Sequence, residues 1–78
     1  MGKYTIQEHW PEDLRVLAGN VIRAKLERQW RKNNVLTCES TQELRYCVDR
    51  YMEADRAVRR AKANFQTVFE HYRNLNVV

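Results

Sequence analysis

Along the second half of the chain, apolar residues fall at Leu44, Cys47, Tyr51, Ala54, Val58, Ala61, Phe65, Val68, Tyr72 and Leu75, in steps that alternate between three and four. That alternation is the seven-residue repeat of a coiled-coil-like heptad seam, and it runs past four heptads without a Gly or Pro to break it. It predicts one long helix over about 41–75. Ser40, followed three residues later by Glu43, marks its start as a capping box, in which hydroxyl and carboxylate each accept from an otherwise orphaned backbone N–H. Such a helix is about 50 Å long at 1.5 Å per residue.

The first half is periodic in a less regular way. Leu14, Leu17, Ala18 and Val21 share a stripe at about 100° per residue, and the same line continues through Lys25, Arg28 and Lys32. Apolar positions shift meanwhile to Ile22, Leu26 and Trp30, which predicts a helix crossing its partner at an angle. Pro11 suits a first helical turn, and Glu12 and Asp13 add negative charge there. Arg28, Arg31 and Lys32 suit a last turn before Asn33 and Asn34. This helix is expected over about 11–32, roughly 33 Å long, with a loop at 33–40.

A short connection makes the two helices antiparallel neighbours. The fold class is therefore all-α: an antiparallel helical hairpin over 11–78, preceded at 1–10 by an arm or a short helical turn in which Thr5 and Glu8 are candidate caps. Length matters here. The shorter helix is expected to cover the longer one only from Leu44 to about Ala61, which leaves Phe65, Val68, Phe69, Tyr72 and Leu75 to be covered otherwise. Tyr4, Ile6 and Trp10 of the N-terminal segment are one candidate cover, and a second copy of the chain is the other. The expectation is a homodimeric four-helix bundle, with Trp30, Phe65, Val68, Phe69, Tyr72 and Leu75 at a dimer or partner interface.

Charge adds a second possibility. Fourteen Lys and Arg against ten Asp and Glu give a net charge of +4 in 78 residues, with cations and anions divided evenly between the two halves. The stretch DRAVRRAKANF holds Arg56, Arg59, Arg60 and Lys62 away from the seam. Asp55 stands four before Arg59 and Glu53 three before Arg56, spacings that suit helix-surface ion pairs. Arg60 and Lys62 lack such a neighbour. These four cations, together with Lys25, Arg28 and Lys32, form the candidate nucleic-acid surface, one able to track phosphates without reading bases.

Other chemistry is sparse. Cys38, Cys47, His9 and His71 show no metal-ligand spacing, and no phosphate loop, nucleophile elbow or acid–base cluster occurs. No cofactor, metal or catalytic residue is assigned. MGKYTIQEHW has no apolar signal core, and Ile6 stands where a myristoylation context needs Ser or Thr. With no membrane-length apolar run, the expected setting is cytoplasmic, with both cysteines reduced. The reading is a small, non-enzymatic interaction protein that acts through apolar and aromatic helical surface as an adaptor, inhibitor or assembly factor. A nucleic-acid-binding regulator is the alternative.

Overall fold

A computed structural model describes residues 6–78, so Tyr4 and Thr5, expected to help cover or cap the N-terminal segment, lie outside the described residues. Two helices, α1 (Glu12–Leu36) and α2 (Thr41–Asn74), pack against each other, and the described residues contain no strand. The chain measures 52 × 19 × 16 Å, its long dimension being the length of α2.

Three of the four helix ends follow from local sequence. Pro11 is the N-cap of α1, with Glu12 and Asp13 in the first turn. At α2 the Ser40 hydroxyl accepts the Glu43 N–H at 3.1 Å, half of the expected capping box. The C-terminus of α2 closes in a Schellman turn: Asn76 takes a positive φ of 60°, while Asn76 N–H reaches the Arg73 carbonyl and Val77 N–H the Tyr72 carbonyl, both at 3.0 Å. That reversal brings Val78 back against the core.

Helix α1 does not end at Lys32. It continues through Asn33 and Asn34 to Leu36, since asparagine costs a helix only a fraction of a kcal/mol and the extra turn places Val35 beside Val48 and Tyr51. The Thr37 hydroxyl then accompanies the closing turn, donating to the Asn33 carbonyl at 3.0 Å.

Helix register overturns the expected bare end. Arg28 meets Asp55 and Tyr72 meets Asp13, so α1 lies alongside α2 from about Val48 to Tyr72. The first turns of α2 overhang the end of α1, and Leu44 and Tyr46 stay exposed there. A longer α1, paired from Val48 and not from Leu44, reaches the residues expected to lie beyond it. The N-terminal segment does the rest: a turn closed by Trp10 N–H on the Gln7 carbonyl seats the indole 5.8 Å from the Phe65 ring and 6.0 Å from Phe69.

Leu14, Val21 and Val58 are fully buried, and Trp10, Leu14, Ala18, Val21 and Phe65 form the main cluster. Phe65 is only 3% exposed. Val68, Phe69 and Tyr72 are half-buried against the same cluster, while Leu75 is exposed at the helix cap. Phe65 is therefore covered within the chain, while Val68, Phe69 and Tyr72 keep part of their surface exposed.

Candidate functional site

Two outward faces and one thiol pair remain once the core is accounted for. The first face belongs to α1. Ile22, Leu26 and Trp30 succeed one another at four-residue spacing, and Val16 and Gly19 extend the same strip toward the N-terminus. These residues do not cross toward α2, as their drift in the sequence predicted. They point away from it: Leu26 is 66% exposed, Trp30 53% and Val16 52%. Ile6 lies over Gly19 and lines a shallow depression with Val16, Ile22 and the stems of Arg15 and Arg23. The Arg31 guanidinium sits 4.6 Å from the Trp30 ring centroid, a cation–π contact that leaves most of the indole in water.

The line that does face α2 is the one that turns cationic. Beyond Val21 it continues through Lys25 and Arg28, both half-buried, whose stems cover apolar surface while their charges reach outward. Arg28 donates to Asp55 at 3.1 Å, and Arg59 reaches the other oxygen of the same carboxylate at 3.1 Å. Asp55 thus bridges the helices. Arg31 pairs with Glu27 at 3.0 Å, one helical turn away. The anticipated Glu53–Arg56 pair is replaced by Glu53–Arg50 at 3.2 Å, since both Arg50 and Arg56 are three residues away and only one is engaged.

These pairings divide the cations proposed for phosphate contact. Arg28 and Arg59 are occupied, and Lys25 and Lys62 are half-buried near the helix–helix edge. Arg56 and Arg60 are exposed, Arg60 beside the groove it lines with Glu27 and Arg31 of α1, and neither makes an ion pair among the described residues, as is also true of Lys32 near the end of α1. Arg28 of one basic cluster and Arg59 of the other meet on the Asp55 carboxylate.

At the end remote from the turn, the Tyr72 hydroxyl donates to the Asp13 carboxylate, 2.9 and 3.0 Å from its two oxygens. Sharing its proton with a carboxylate raises the Tyr72 pKa above 10.0. His71 packs edge-on to Tyr72, and His9 likewise to Trp10; both imidazoles are exposed.

The hairpin turn carries the thiols. Cys38 and Cys47 are free and half-buried, with sulfurs 2.9 Å apart, and the Cys38 sulfur also lies 3.0 Å from the Asn34 carbonyl. Its hydrogen bond with Cys47, then desolvation and the Cys47 and Glu43 charges, push the Cys38 thiol up to about 11. Among the described residues no group of three or more His, Cys, Asp or Glu could hold a metal ion, and no helix is long and apolar enough to cross a membrane.

Of the outer strip of α1, the sequence pointed to Trp30 alone as an interface residue, because Ile22 and Leu26 read as part of a drifting face that crosses α2. The clue was the Lys25–Arg28–Lys32 line, whose long stems keep the original face usable for packing. No protein family, curated protein or solved structure matches the chain.

Proposed function

We propose that this chain is a non-enzymatic interaction protein whose contact surface is the outer apolar strip of α1, and that a second copy of the chain is its first occupant. The observation that carries this reading is the exposure of Val16, Ile22, Leu26 and Trp30 along a single line of one helix. Large side chains that serve only a hairpin core would not recur at four-residue spacing on its far side. Antiparallel pairing of two α1 helices would set Ile22 against Leu26 of the other copy and bring Trp30 near the other copy's Gly19, beside the Ile6 side chain that lies over it. Four helices would result, with the two α2 helices outermost.

Small size supports association. Three large side chains are fully buried in each chain, and domains of this size gain much of their stability margin from partners. An adaptor, inhibitor or assembly factor built this way would present the exposed cations of α2 on the outside of the dimer. The carboxylates of Asp13, Glu27, Glu53, Asp55 and Glu70 are each engaged by a hydrogen bond or an ion pair, which favours a binding role over catalysis.

Sedimentation equilibrium tests the reading, with Leu26→Glu/Trp30→Ala as the variant, since both residues are exposed and their replacement leaves the hairpin core intact. The native chain should reach dimer mass at tens of micromolar and the variant should remain a folded monomer. A monomer at every concentration, or a dimer indifferent to the double substitution, refutes it.

Arg56 and Arg60 favour a second reading, as a nucleic-acid-binding regulator whose contacts are to phosphate. Binding to duplex or structured RNA would then fall steeply with salt, and Arg56→Glu/Arg60→Glu would abolish it while Lys25→Gln or Arg28→Gln would weaken it less. No retention at low salt rejects that role.

A further inference from the structure

A cysteine in the turn and another two turns into α2 bring their sulfurs to 2.9 Å. The architecture explains how this contact arises. Thr37 and Cys38 fold back on the last carbonyls of α1, with Thr37 N–H on the Asn33 carbonyl and Cys38 N–H on the Val35 carbonyl. Ser40 starts α2 in a fixed direction through its bond to the Glu43 N–H. Cys47 is then carried on the seam side of α2, toward the turn. Both positions are tied by backbone bonds, so the approach of the sulfurs belongs to the turn itself.

We propose that Cys38 and Cys47 form a dithiol–disulfide modification site, oxidised by low-molecular-weight disulfides of the glutathione class, and that the resulting bond fastens the hairpin turn to the start of α2. The sulfurs need to close by only about 0.9 Å to reach a bond length of about 2.0 Å. Half-burial leaves them open to a small oxidant, and the nine-residue spacing lies across a turn, where a bond restrains both the loop and the overhanging helix end.

The steps balance. The Cys47 thiolate attacks one sulfur of the oxidant RSSR, forming a mixed disulfide and releasing RS⁻, which takes a proton from solvent. Cys38 then gives up its proton and attacks the Cys47 sulfur, displacing the second RS⁻. Two protein thiols are oxidised, one RSSR is reduced, and two RSH leave with the two protons. The Cys38 thiol donates toward the Cys47 sulfur, which makes Cys47 the first nucleophile and Cys38 the resolving one.

The test equilibrates the full chain in buffers of reduced and oxidised glutathione at graded ratios, quenches with acid, alkylates remaining thiols and measures intact mass. The expected product is a monomer that has lost two hydrogens, about 2 Da, and carries no alkyl group, formed in one two-electron transition. Cys38→Ser and Cys47→Ser should instead stop at the glutathione mixed disulfide. The oxidised native chain should melt several degrees above the reduced one. Two alkylatable thiols at the most oxidising ratio, accumulation of the mixed disulfide in the native chain, or disulfide-linked dimers would each overturn the proposal. So would an oxidised chain that melts no later than the reduced one.

Discussion

Replacing Trp10 by Ala and, separately, Trp30 by Ala sets the two indoles of this chain against each other. Trp10 precedes the first helix and is 9% exposed, seated against Phe65 and Phe69, whereas Trp30 is in mid-helix and 53% exposed. Burying a tryptophan removes roughly 200 Å² of surface from water, which at about 25 cal/mol per Å² gives an upper figure near 5 kcal/mol. Residues 7–10 lose their anchor in the variant and regain conformational freedom, so the net cost of Trp10→Ala is about 3 kcal/mol. A chain of this length is stabilised by roughly 4–12 kcal/mol in all. Urea unfolding followed by far-UV circular dichroism should therefore move its midpoint down by about 3 M, taking a slope near 1 kcal/mol per M. Trp30→Ala should stay within about 0.5 kcal/mol of the native chain at low protein concentration, where association contributes nothing. At high concentration it should fall behind, by loss of the dimer. Equal costs for the two substitutions at low concentration would refute the placement of Trp10 as the cover of the distal core.

Three further outcomes follow from local geometry. A methyl group at Gly19 would meet its nearest neighbours, the flexible ends of Arg23 and Ile6, at 3.9 and 4.0 Å, so Gly19→Ala should raise thermal stability by about 0.8 kcal/mol through helix propensity; a loss would reveal a closer contact. Ser40→Ala removes the acceptor for the Glu43 N–H and should cost about 1 kcal/mol in the same measurement. Tyr72 has a folded pKa above its ordinary value, so its contribution is fully present below about pH 10 and is lost as pH rises through the folded value. Tyr72→Phe should therefore lose less stability than the native chain between neutral and strongly alkaline pH, and parallel pH profiles would show the bond to Asp13 to be energetically silent.

Repeats and caps were legible in the sequence, and the pairing between elements was not. The spacing from Leu44 to Leu75 gave the extent of α2 to within a residue, because a polar turn precedes it and nothing interrupts it. The end of α1 was misplaced by four residues, since Asn33 and Asn34 read locally as a stop while the burial of Val35 against Val48 and Tyr51 is a tertiary gain that no local signal carries. A small error at that end propagated down the hairpin: with α1 too short and paired from Leu44, Phe65 and Phe69 looked bare. Trp10 as their cover was visible only as an alternative, because an indole before a helix has no periodicity to place it. The Schellman turn at Asn76 could have been read from an Asn just past the last apolar position.

The register itself poses a final question, since a seam of Ala, Val and Tyr repeating every seven residues admits sliding by one heptad with little change in apolar contact. Two polar ties distinguish the observed alignment. In it Arg28 meets Asp55 and Asp13 meets Tyr72; a slip of seven residues would set Arg28 against Val48 or Lys62, and Asp13 against Phe65 or past the end of the chain. Either slip parts both pairs and leaves a carboxylate beside apolar surface or like charges beside each other, at a cost of about 1 kcal/mol or less for a pair this near the surface. Specificity of alignment would then rest on Asp13 and Asp55, at the margin of the seam. Spin labels at exposed Arg23 and Arg60, in a chain with both cysteines replaced by Ser, would read it out, because a one-heptad slip displaces one helix by about 10 Å. The Asp13→Ala/Asp55→Ala chain should show a second distance population that the parent lacks. A single, unchanged distance in that variant would mean that the indole of Trp10 and the fit of Leu14, Val21 and Val58 fix the register without help from charge.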